Sequence, residues 1–187
     1  NQQWGKWKGW KRGITHVDLV APRVVSLEAR QLAWSPSTGK KPVTAEVVVL
    51  PEATDSLDFV EKLKQVKGKF VMISMPQPTG RPDDNWEEWA TEASFEKMKA
   101  ERDSLGKLWD TRTGNTGLDR RELPKALEKA GAAGIISSYW SRGFGVNKVF
   151  SAYTEKIPTI DMALEDYGLL YRLAAYGDKP QIRVVAE

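Results

Sequence analysis

Leu123-Pro-Lys-Ala-Leu-Glu-Lys-Ala130 runs straight into Gly131-Ala-Ala-Gly134-Ile-Ile136, and the reading of this junction decides the fold. Leu123, Ala126, Leu127 and Ala130 fall at i, i+3, i+4 and i+7, one apolar face at helical period. Gly131 follows where a helix ends on a residue that tolerates positive φ. Ala132-Ala133-Gly134 leaves room for close backbone packing, and Ile135-Ile136-Ser137-Ser138-Tyr139 reads as a buried strand. Downstream, Pro158 favours an extended Ile157 in Ile157-Pro-Thr-Ile-Asp161. Leu164 to Tyr176 reads as a second amphipathic helix with Ala163, Tyr167, Leu170 and Ala174 on one face. It stops at Gly177, and Gln181 to Ala186 supplies a last strand.

Upstream, Val17–Ala21, Val24–Leu27 and Val43–Leu50 read as strands, with a turn at Pro36 and Gly39. Residues 56–65 suit a short helix, with Leu57, Val60, Leu63 and Lys64 at helical spacing, before a buried strand at Phe70–Ser74. From Pro76 the composition shifts to proline and then acid. Asp83 or Asp84 is placed to cap a helix starting near Trp86 and reaching about Leu108, with a stripe of Trp86, Trp89, Ala90 and Ala93. Thr111 to Gly117 then reads as a flexible loop. Asp119 and Glu122 resemble a capping box, but Pro124 sets the expected start of the regular helix nearer Leu123. Strands alternating with helices indicate an α/β fold, and the early strand run adds an antiparallel portion.

The order of these pieces resembles the protease-associated domain. The matching residues are Val66-Lys-Gly-Lys-Phe-Val71, Ala130-Gly-Ala-Ala-Gly-Ile135 and Ile157-Pro-Thr-Ile160. Ala33-Trp-Ser-Pro-Ser-Thr-Gly39 and Leu164-Glu-Asp-Tyr-Gly-Leu-Leu-Tyr-Arg-Leu173 narrow the resemblance to the version carried by M28-type zinc peptidases, relatives of aminopeptidases and carboxypeptidases. The resemblance implies a β/β/α module with a mixed β-sandwich or barrel-like core flanked by helices. It assigns residues 1–16 to an arm toward a parent peptidase domain and 17–187 to the domain, interrupted by an insertion at about 76–118. It also implies a role that is not catalytic: shaping substrate access beside the active site, or holding a peptide or protein. Zinc is then implied in the parent peptidase, with none in this chain, and the location is secreted, periplasmic or cell-surface.

Composition bounds what the chain does alone. Its 187 residues contain no cysteine and one histidine, His16, which excludes a disulfide framework, thiol catalysis and a His-x-x-x-His zinc pair. Lys6, Lys8, Lys11 and Arg12 lie in the first twelve residues, and removing those four charges takes the net +3 to −1 for residues 13–187. A basic face running through the fold, as nucleic-acid binding requires, is therefore not expected. No apolar run is long enough for a membrane-spanning helix, and the N-terminus lacks a signal-peptide core. A start at Asn1 rather than Met suggests a mature product or an excised segment, the second being favoured.

The remaining chemical candidates fail on particular residues. No Gly-x-Ser-x-Gly elbow supports a Ser/His/Asp triad, and Ser137, Ser138 and Ser141 read as strand-end or loop residues. Thr38-Gly-Lys-Lys41 lacks the first glycine and the hydroxyl of a phosphate loop. Asp83, Asp84, Glu87 and Glu88 lack the alternation of a calcium loop and suit a helix N-terminus. The tryptophans remain. Trp86, Trp89 and Trp109, with Arg112 and Asn115 beside them, are the candidate substrate or partner contacts; no catalytic or metal residue is assigned. Trp4, Trp7 and Trp10 read as a connecting arm. A free-standing carbohydrate- or peptide-binding module using the Trp-rich surface is the alternative.

Overall fold

The computed structural model describes residues 5, 9–139, 149–150 and 152–187; the readings of Trp4, Trp7 and Ser141 fall outside them. The elements in chain order are β1 (Thr15–Ala21), β2 (Val25–Leu27), β3 (Ala29–Gln31), β4 (Val43–Val49), α1 (Ser56–Lys62) with a 3-10 turn (Leu63–Val66), β5 (Phe70–Met72), α2 (Asp83–Trp89), α3 (Glu92–Gly114), α4 (Glu122–Lys129), β6 (Gly134–Ser137), β7 (Thr159–Met162), α5 (Leu164–Ala175) and β8 (Gln181–Ala186). The strands form one sheet in the order β2-β1-β8-β4-β5-β6-β7-β3. β4 to β7 are parallel neighbours, while β8, β1, β2 and β3 join antiparallel.

Glu28 closes this sheet into a nearly complete barrel. β2 lies at one edge and β3 at the other, yet Glu28 is the single residue between them, so the two edges must come together. The N-terminal end of α5 fixes the bend: the Glu28 N–H donates to Asp166 Oδ2 at 2.6 Å, and Ala163 N–H donates to the Glu28 carbonyl at 2.8 Å. At the seam the Gln31 N–H donates to Thr15 Oγ1 at 3.0 Å, linking β3 to β1. Closure removes most of the exposed strand edge that invites unwanted pairing.

Strand alternation divides the core in two. Phe70, Met72, Ile136, Ile160 and Met162 meet β1, β4 and β8 inside the barrel, where α5 contributes Tyr167 and Leu170. Val71 and Ile135, one position out of phase, face the second cluster with Phe59, Val66, Leu123 and Leu127. The expected junction is present. α4 ends before Gly131, whose φ is 87°, and Gly134 starts β6. A Cβ on Gly134 would lie 2.7 Å from Phe70 Cδ1 and 3.0 Å from the Pro158 carbonyl oxygen, so this approach requires glycine. Gly177, at φ 86°, follows α5 as read from the sequence.

Several local expectations need correction. The helix expected from Trp86 to Leu108 is two helices, broken at Ala90-Thr91, and its second part extends to Gly114. Pro82 precedes α2 with no side-chain cap, while Thr91 Oγ1 caps α3 by accepting from Ser94 N–H at 3.3 Å. The expected loop at Thr111 to Gly117 is mostly the last turn of α3. Thr111 and Thr113 turn their hydroxyls back onto the Lys107 and Trp109 carbonyls, so their polar groups do not compete with the helix. Asp119 and Glu122 do form a reciprocal box: Asp119 Oδ1 accepts from Glu122 N–H at 2.8 Å and Glu122 Oε2 from Asp119 N–H at 3.0 Å. Pro124 sits in the first turn, where its missing N–H costs no bond. In α1 the buried face belongs to Phe59; Leu57 and Val60 are 80% and 62% exposed. β1 begins at Thr15, so the last two residues of the expected arm are strand.

Candidate functional site

Three of the five candidate contacts come together where α3 lies against the carboxyl ends of β4 and β5. Trp109, Arg112 and Asn115 line a cleft of about 250 Å³ with Glu52 and Ala53 after β4, Met75 and Pro76 after β5, and Tyr171 from α5. In open parallel α/β sheets this end of the strands is where ligands bind. The approach of α3 follows from its sequence. Phe95, Met98, Arg102, Leu105, Trp109 and Arg112 recur in steps of three and four, and all six are buried or half-buried. Two arginines in that stripe hide it from a hydrophobicity reading, which finds only Trp86, Trp89, Ala90 and Ala93.

Arg112 and Asn115 tie the cleft to the barrel. Arg112 Nη2 pairs with Glu52 Oε2 at 2.9 Å, and its guanidinium carbon lies 5.4 Å from the Trp109 ring centroid. Asn115 Nδ2 donates to the Ala53 carbonyl at 2.7 Å. Thr116, buried, donates to the Thr113 carbonyl at 2.6 Å and finishes the helix. These residues therefore seat the excursion on the barrel while leaving a small lined opening. The other two candidates lie on α2. Trp86 is half-buried and stacks on Phe95 with centroids 6.4 Å apart, and Trp89 is 71% exposed. Asp83, expected as a cap, ties α2 to α3 through Arg102 Nη1 at 2.8 Å. Glu52, Ala53, Met75 and Tyr171 were not foreseen; the available signal was their position just past strand ends or on α5.

Two buried polar clusters border the barrel. Tyr167 is buried, its hydroxyl accepting from Ser74 N–H at 2.8 Å and donating to the Ser74 carbonyl at 2.6 Å. Burial pushes its phenol far above the ordinary tyrosine range, so it stays neutral. Ser137 Oγ donates to the Ile160 carbonyl at 3.2 Å and contacts Asp161 Oδ1 at 3.4 Å. His16 does not join them. It lies on β1 with Nε2 3.0 Å from Asp18 Oδ1, while Asp18 Oδ2 accepts from Arg183 at 2.6 Å. The Arg183 hydrogen bond, supported by Ser26 and His16 against the opposing effect of burial, holds the Asp18 carboxyl below its ordinary range. His16 and Asp18 offer two donors, and among the described residues no three His, Asp or Glu side chains converge. This donor set does not fit a resident zinc ion. No helix of the described residues is long and apolar enough to cross a membrane.

A similar fold makes up about one third of each of three bacterial peptidase structures. The chain is similar to a peptidase M28 precursor from Shewanella amazonensis, with a TM-score of 0.57 and 17% identity over 95% of this chain and 35% of that one. It is similar also to an aminopeptidase from Aneurinibacillus, with a TM-score of 0.55 and 13% identity over 95% of this chain and 32% of that one. A zinc aminopeptidase from Bacillus subtilis matches with a TM-score of 0.51 and 15% identity, over 96% and 32% of the two chains. The chain thus spans about a third of the length of these proteins. No family model and no curated protein matches it by sequence.

Proposed function

We propose that the chain is the protease-associated domain of an M28-type zinc peptidase, with no catalytic part of its own. In this reading it shapes substrate access or holds a partner beside the active site. The observation that carries the reading is the coverage: nearly the whole chain superimposes on one third of several M28 peptidases. The path of the backbone supports it. β1 and β8 are antiparallel neighbours, Gly13 N–H donates to the Glu187 carbonyl at 2.7 Å, and Glu187 N–H donates to the Ile14 carbonyl at 2.9 Å. Chain entering and leaving at one point suits a module inserted within a host domain. In this reading the metal, the hydrolytic chemistry and the peptide substrate belong to the host. A secreted, periplasmic or cell-surface location follows from the same reading.

The segment from Pro76 to Leu118 is proposed as the part that acts on substrates, since it places α3 over the carboxyl ends of the strands and exposes Trp89. The test compares the 187-residue chain with the longer gene product on aminoacyl and peptidyl chromogenic substrates, with and without zinc. We expect turnover by the longer product and none by the chain. Zinc-dependent or metal-independent hydrolysis by the chain alone overturns the reading. Replacing residues 76–118 of the longer product by a short linker is expected to change kcat/KM between peptides of different sequence; unchanged selectivity removes the excursion from the function.

A further inference from the structure

Trp34 has a φ of 62°, in the left-handed region that a bulky aromatic residue rarely enters. Such strain persists only where the surroundings over-determine it, and it collects at binding sites. Here the surroundings are explicit. Gln31, 1% exposed, donates through Nε2 to the Ser35 carbonyl at 3.1 Å and the Pro36 carbonyl at 2.9 Å. Ser35 N–H donates to the Leu32 carbonyl at 3.0 Å, and Ser35 Oγ accepts from Thr159 N–H at 2.8 Å. Ala33 N–H donates to the Val149 carbonyl at 2.6 Å, which brings Phe150 beside the turn.

The result is an aromatic ledge. The Trp34 ring centroid lies 6.3 Å from that of Trp10 and 6.3 Å from that of Phe150, and Trp34 and Phe150 are 52% and 63% exposed. An open cleft of about 660 Å³ lies against it, bordered by Trp10, Trp34, Lys125, Tyr153 and Glu155. Its fringe carries four cations, with Asp119 lying among three of them, Arg120, Arg121 and Lys125. Arg12 lies 5.2 Å from the Trp10 ring, and Arg120 and Arg121 lie 6.0 and 5.9 Å from the Tyr153 ring, with Lys125 on the lining itself. Glu155 is the one acid among the lining residues.

We propose that this cleft binds extended acidic peptide segments carrying aromatic or prolyl side chains. The apolar ring of the ligand packs on the ledge of Trp10, Trp34 and Phe150, and its carboxylates face Lys125 and the arginines. A neutral saccharide would use the ledge but gain nothing from the cations, so the charge selects the peptide. The inference goes beyond the reading above: the cleft lies outside residues 76–118 and needs no host active site.

The test titrates the 187-residue chain, by calorimetry and tryptophan fluorescence, with an acetylated and amidated hexapeptide alternating glutamate and phenylalanine. The counterpart with lysine for glutamate and a sulfated oligosaccharide are run beside it. We expect the acidic peptide to bind about tenfold or more tightly than the lysine peptide, and less tightly as salt rises. Trp34→Gly removes the ring while glycine accepts a φ of 62° without strain, so the fold is kept and affinity falls about tenfold or more. Phe150→Ser weakens binding without touching the strained turn and decides the matter if Trp34→Gly lowers the melting temperature. Lys125→Glu costs severalfold. No binding of the acidic peptide, equal binding of the lysine peptide, unchanged affinity in Phe150→Ser, or tighter binding of the sulfated oligosaccharide each overturns the proposal. None of these outcomes bears on whether the longer gene product is a zinc peptidase.

Discussion

Between β5 and β6 the chain leaves the barrel for α2 and α3, and the two regions bury themselves by different means. Phe70, Met72, Ile136 and Ile160 have no exposed surface. Of the 23 residues of α3, Met98 alone is buried. The barrel is held by continuous apolar contact and a closed hydrogen-bonded sheet. The excursion is held to the barrel by Arg112 on Glu52, Asn115 on Ala53 and the packing of Trp109 and Leu118 on the second cluster, and within itself by Arg102 on Asp83 and the stack of Trp86 on Phe95. Apolar burial contributes in proportion to area, whereas a typical polar contact contributes about 1 kcal/mol net. A region held in the second way opens locally without unfolding the rest. That difference suits a fixed scaffold carrying a part that adapts to what it meets.

The contrast is broken most forcefully at Phe70. Phe70→Ala removes a ring that packs inside the barrel and against Gly134, and should destabilise the protein by about 3–5 kcal/mol. Chemical denaturation followed by far-UV circular dichroism measures this directly. A loss below about 1 kcal/mol would mean the barrel is not the cooperative unit.

Asn115→Ala comes next, at about 1 kcal/mol, through loss of the bond to the Ala53 carbonyl. Its more telling readout is hydrogen exchange. Amides of α2 and α3 should lose protection while those of β5 and β6 keep theirs. Equal loss in both regions would erase the distinction between scaffold and excursion.

The sequence displayed the scaffold better than the excursion, and the reasons are physical. Gly131 and Gly134 are demanded by a positive φ and a steric approach, and such requirements are visible as residue types. The continuous apolar runs of β5 and β6 are equally plain because both faces of those strands are covered. In α1, however, two interleaved stripes have the same period, and periodicity could not choose Phe59 over Leu57 and Val60. The extent of α3 was hidden because threonine and glycine are poor helix formers, and only tertiary anchors at Arg112 and Asn115 favour its last turn. The cleft at Trp34 was less legible still: Trp34 and Phe150 are far apart in sequence, and a left-handed tryptophan has no compositional sign.

Trp89→Ser should have the smallest effect on stability, within about 0.5 kcal/mol, because the side chain is 71% exposed and caps no core. That smallness makes it informative. A large exposed indole on a short helix, held to α3 by Asp83 and Trp86, is an anchor in search of a surface. If residues 76–118 act on substrates, Trp89→Ser in the longer gene product should raise KM for peptides while the melting temperature stays within a degree or two. If instead the excursion only packs on its own domain, neither quantity moves, and the functional weight shifts to the cleft beneath α3, where Asn115→Ala would then be the substitution that changes turnover.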